Sequence, residues 1–209
     1  MLAPARFAVI AAPALLDAAT ALTAAITRDE PAGFPAVARQ VGAAWVDTIL
    51  DGFVLTLAAA ARGPGSGQRT ATMIRDLAES LIGASVRRTD RARAVGFAAF
   101  LDQHLTRQPP TVGFAVEPGL AAAVGPALAD ATAPAPVLAD ALHATIDAAL
   151  ARLLDEPLGV LGLGLVTRTA ARLGRATIAR RVHAEVDRAV LDPVAQPRLA
   201  QALTGYYHR

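Results

Sequence analysis

Gln108-Pro109-Pro110-Thr111-Val112-Gly113-Phe114-Ala115-Val116-Glu117 is the one short apolar stretch of this 209-residue chain with a claim to extended structure. The residue before each proline is pushed out of helical space, so Gln108 to Thr111 reads as a rigid break. Val112 to Glu117 then reads as a linker packed across a bundle rather than as a strand. On that reading the chain holds no sheet. The predicted fold is all-α, a compact multi-helix bundle of about eight or nine helices with a Pro-Pro crossover at Pro109-Pro110.

Composition on both sides of the break agrees with helix. About a quarter of the residues are alanine, which loses no side-chain entropy in a helix. Apolar residues make up 54% and aromatics only 4%, so the core is built from Leu, Val, Ile and Ala on closely approaching helices. The length fits a single all-α domain over 1–209, divisible at the break into sub-halves 1–107 and 118–209.

The helices follow from their period and punctuation. The first starts near Pro4 or Pro13 and ends at about Thr27. A second, opened by Pro35, carries Val37, Val41, Trp45, Ile49, Phe53 and Leu57. Met73, Ile74, Leu77, Leu81 and Ile82 mark a third, and Thr89 or Asp90 caps a fourth that runs to about Arg107. Pro118 and Pro134 open two more, Pro157 starts a long one reaching about Val190, and a last short helix covers Arg198 to Leu203. Charges at Arg6, Asp17, Asp51 and Arg62 interrupt the apolar runs, so no transmembrane segment is expected, and the chain reads as cytoplasmic.

The residues exclude much chemistry. There is no cysteine, hence no disulfide, thiolate metal site or thiol nucleophile. His104, His143, His183 and His208 offer no pair at metal-ligand spacing, so neither metal nor cofactor is predicted. His183 with Asp187, four residues on, reads as a surface hydrogen bond. Asp29-Glu30-Pro31 and Asp155-Glu156-Pro157 read as helix punctuation. Gly63-Pro64-Gly65-Ser66-Gly67 lacks the lysine and the strand of a phosphate loop. No catalytic constellation remains, and the enzyme question leans to no.

All twenty basic residues are arginine, at a formal net charge of +2. Arg168, Arg172 and Arg175 share one helix face, and Arg180 and Arg181 follow. Arginine pairs bidentately with carboxylate or phosphate, so these five form a candidate face for an acidic partner. Ala170 to Val182 resembles the helix-turn-helix of bacterial regulators, and that resemblance implies DNA binding. Here Ile178 follows Gly174 by four residues where the pattern has about six, which predicts one continuous helix and makes specific nucleic acid an unfavoured partner.

The leading functional expectation is a non-catalytic interaction protein, an adaptor, accessory subunit or regulator that associates through Ala/Leu-rich helix faces. The alternative is a small-molecule binder or enzyme with an apolar pocket at Trp45, Phe53, Phe97 and Phe100; nucleic-acid binding through the arginines is third. Helices this apolar are expected to leave a face that a second copy or a protein partner covers, most simply as an isologous dimer. Sedimentation velocity at tens of micromolar tests it: a dimer is expected, and a clean monomer counts against it.

Overall fold

The computed structural model describes residues 6–63, 68, 69, 71, 72, 75, 76, 79, 80, 89–130, 132–160 and 165–208, with only the backbone for 165–168 and 170–172. The apolar stripe from Met73 to Ile82 falls outside the described residues. In order, the elements are strand β1 (Arg6–Ile10), helices α1 (Pro13–Arg28), α2 (Pro31–Arg62) and α3 (Arg91–His104), and strands β2 (Leu105–Arg107) and β3 (Pro110–Ala115). Then come α4 (Pro118–Ala129), α5 (135–160), α6 (Leu165–Ala189), α7 (Ala195–Tyr206) and strand β4 (Tyr207–His208).

The chain is mostly helical, with seven continuous helices among the described residues and a four-stranded sheet. The all-α expectation and the count of eight or nine are both corrected. Pro109-Pro110 is no crossover, because Arg107 pairs with Pro110 and Gln108-Pro109 form the two-residue turn of a hairpin between β2 and β3. Val112 to Ala115, read as linker, is strand. Residues 6–10, read as the start of a helix, pair antiparallel with β3 in the register Phe7 with Phe114 and Val9 with Val112.

Burial explains why alternation gave no warning. The strand order is β2-β3-β1-β4, so β1 and β3 are the inner strands. Phe7, Ala8 and Val9 are all buried, as are Val112, Gly113 and Phe114. A strand covered on both faces reads as an unbroken apolar run, which periodicity cannot separate from helix. Phe7 and Phe114 stack with ring centroids 4.8 Å apart. Gly113 faces the β1 backbone, where a Cβ would meet the Phe7 carbonyl oxygen and lie 2.9 Å from Ala8 Cα.

The helices cover this sheet. Leu15, Ala18, Ala19, Leu22 and Ala25 form the buried stripe of α1, which ends where Asp29 takes the left-handed conformation and Glu30 N–H donates back to the Ala25 carbonyl. Asp90 caps α3 by accepting from Arg93 N–H at 2.9 Å. In α2, a π-helical stretch at Leu50–Leu55 lies over β1, and Gly52 permits it: a Cβ there would come within 3.0 Å of Val9 Cβ. β4 closes the sheet beside Arg6 and Phe7. Burial pushes the Tyr207 hydroxyl up to about 12, partly offset by its bond to Thr145, so it stays neutral and in place.

Two more boundaries differ from expectation. Helix α2 runs unbroken through Asp51 for 32 residues, and by length and mean hydropathy (1.5) it is long and apolar enough to cross a membrane. Asp51 does not interrupt the run as expected, and 56% of the apolar window is buried inside the protein. Helix α5 does not end before Pro157. It passes through a π turn at Ala151–Asp155 and continues to Val160.

Gly113→Ala tests the sheet. The new methyl meets the β1 backbone and the Ala8 Cβ, neither of which can swing aside, so the variant is expected to lose about 1–3 kcal/mol, read as a lower urea midpoint. An unchanged midpoint would show that β1 and β3 are not in this register.

Candidate functional site

Three of the four aromatics expected to line a pocket gather at the α2–α3 contact. Trp45 meets Phe100 edge-on at 5.0 Å, and Phe97 and Phe100 stack at 6.1 Å. Phe53 sits instead with Phe7 and Tyr206, at 5.5 and 5.2 Å. All four are buried. Two apolar clefts open nearby: one beside Trp45, Phe53, Leu150 and Leu153, the other bounded by Phe53, Leu57, Ile146, Ile178, Val182 and Val186. Their cavity volumes are about 30 and 40 Å³, against the several hundred of a typical ligand site. Phe97 and Phe100 line neither.

A polar cluster missed in the sequence lies beside these rings. Proline cannot donate, so Pro157 leaves the Leu153 carbonyl without its helical partner. Trp45 Nε1–H fills that vacancy at 2.7 Å, a buried bond between α2 and α5. The π turn and proline also set Arg152 and Glu156 on one side of α5. Glu156 accepts from Arg152 at 2.6 Å, and Arg152 also pairs with Glu117 at the start of α4.

Glu156 also faces His104, which is 3% exposed at the end of α3. A carbonyl only accepts, so the 2.9 Å contact to the Gly113 oxygen fixes the proton on His104 Nδ1. Nε2 lies 3.2 Å from Glu156 Oε2 but off the hydrogen-bond axis. Phe100 covers the ring at 4.4 Å. The pair sets a buried imidazole against a carboxylate that is one-third exposed, and His104 lines neither cleft. Here the cluster joins α3, β3, α4 and α5.

The other histidines also work across helices. His183 does not pair with Asp187 on its own helix. His143 Nε2 lies 3.0 Å from Asp187, and His183 Nε2 lies 3.3 Å from Asp147. The spacing signal was present: His-Ala-x-x-Asp occurs at 143–147 and again at 183–187. Among the described residues no group of three or more His, Asp or Glu is placed to hold a metal ion.

Of the five candidate arginines, the side chains of Arg168 and Arg172 lie outside the described residues. Arg175 turns inward and binds Asp155 at 2.5 Å, which removes it from an outward face. Arg180 and Arg181 are exposed. Helix α6 is continuous through Gly174, so the resemblance to a helix-turn-helix does not extend to structure.

Trp45→Phe keeps an aromatic ring against Phe100 and removes the donor to Leu153. The orphaned buried carbonyl is expected to cost about 1–3 kcal/mol, measured by circular dichroism in urea. A loss below about 0.5 kcal/mol would mean another donor replaces the indole. No known protein family matches this sequence, and neither does any curated protein or solved structure, so the functional reading rests on this geometry.

Proposed function

We propose that this protein is a non-catalytic interaction protein, and that its docking surface is the outward face of α6. One observation carries the reading. Leu173 is 67% exposed, and Ala176, Thr177, Arg180, Arg181, Ala184 and Arg188 continue the same exposed face at helical spacing. Small residues let another backbone approach, Leu173 supplies an apolar anchor, and the arginines supply charge. Arg180 Nε donates only to its own helix, at the Ala176 carbonyl, and neither Arg180 nor Arg181 has a carboxylate partner among the described residues. A helix with a matching carboxylate stripe fits this face best. A second copy of the chain is the partner for the apolar part of the reading.

The alternative, a ligand held between helices, has the clefts at Trp45 and Phe53 in its favour. Their walls are apolar, but at about 40 Å³ they must open before admitting more than a water or two. Nucleic acid would use the same arginines, through phosphate contacts without base readout.

Titration of a fluorescent glutamate-rich helical peptide, followed by anisotropy, tests the proposal. Binding is expected to weaken about tenfold in Arg180→Glu/Arg181→Glu, from roughly 0.5–1 kcal/mol per exposed ion pair. Equal binding by both proteins overturns the face. Mixed-sequence duplex DNA is the second probe: tighter binding than the peptide, with a steep loss in salt, would move nucleic acid to first place.

A further inference from the structure

The crossed histidines between α5 and α6 do something neither the fold nor the docking face requires. The i, i+4 spacing sets His143 and Asp147 on one face of α5, and His183 and Asp187 on one face of α6. Where the faces meet, each imidazole reaches the other helix's carboxylate, and the two rings stack with centroids 4.3 Å apart and planes 27° from parallel. We propose that this crossed pair is a proton-operated clasp that holds α6 on α5 near neutral pH and releases it when His183 takes up a proton.

The geometry sets the direction. Both Nε2 atoms are buried, and neither carboxylate lies on the hydrogen-bond axis, so a new proton gains no well-aligned acceptor. A charged ring would also press against the face of its neighbour. Burial is the largest influence on His183 and pushes it below its ordinary 6.5; Asp147 pulls it up, His143 pushes it further down, and Asp187 pulls it up. The folded state therefore binds fewer protons than the unfolded chain. Stability from His183 is complete above 6.5 and is lost as pH falls below it.

The other elements packed here do not reverse the sign. Helix α2 brings Arg62, which faces Glu185 at 3.7 Å. β4 brings Tyr207, whose hydroxyl is tied to Thr145; α7 brings Tyr206, whose hydroxyl donates to the Phe53 carbonyl, and an exposed Arg198; α4 carries no titratable side chain. Release of α6 would withdraw Ile178, Val182 and Val186 from Phe53, Leu57 and Ile146, opening the larger apolar cleft. The clasp stands whether or not the arginine face binds a partner.

Hydrogen exchange on the full chain at about pH 7.5 and about pH 5.5, corrected for intrinsic rates, tests it. Amides of 176–189 are expected to lose protection in acid, His183→Gln to remove that pH dependence, and His208→Gln to leave it intact. If His183→Gln loosens α6 at both pH values, the wild-type ring titration decides: the His183 resonance is expected to move together with the loss of protection. Equal wild-type protection at both pH values overturns the clasp, as does a pH dependence that survives His183→Gln or a ring that titrates without loosening α6. One equivalent of zinc bound through both histidines also overturns it, by making the four side chains a metal centre.

Discussion

The rest of the structure depends on the bond from Trp45 to the Leu153 carbonyl. An internal proline normally breaks or kinks a helix because it strands a carbonyl one turn back. Here that carbonyl is supplied from another helix 108 positions away, and α5 continues past Pro157. The same turn fixes where Glu156 sits, and Glu156 reaches His104 and Arg152. His104 in turn holds the Gly113 carbonyl of β3. A local defect in one helix thus sets the docking of α2, α3 and the sheet around it.

This organisation suits a core poor in large side chains. Alanine-rich helices bury little area per residue, so positional specificity has to come from directional contacts. The protein places these at a few crossings: Trp45 with Leu153, His104 with Gly113, and Tyr207 with Thr145. The bonds of Trp45 and Tyr207 join segments 108 and 62 positions apart.

Local signals in the sequence were legible where local physics decides the outcome. Asp90 as one of two candidate caps, Pro13 as one of two candidate starts for α1, the end of α1 near Thr27, the opening at Pro118 and the continuity of α6 through Gly174 all follow from spacing and backbone preference. The sheet was not legible, because β1 and β3 are inner strands whose apolar runs carry no alternation. Nor could α5 be followed past Pro157, since its rescue comes from Trp45. Arg175 illustrates the limit for surfaces: periodicity placed it with its neighbours, and Asp155, twenty residues earlier, turned it inward. The repeated His-Ala-x-x-Asp was readable, but only helix packing shows that the two copies exchange partners.

The strand order has a consequence for how the chain is made. β1 emerges early, yet its partner on one side is β3, at Thr111 to Ala115, and on the other β4, at Tyr207 and His208. During vectorial synthesis Phe7-Ala8-Val9-Ile10 must therefore wait, an apolar β-prone segment with no neighbour, while the helices that will cover it are still being added. Segments of this kind pair readily with other nascent chains. Arg6 stands directly before the run, where a charge acts as gatekeeper, and in the finished fold the same guanidinium reaches the His104 carbonyl at 3.3 Å. One side chain thus guards the strand before it pairs and anchors it afterwards.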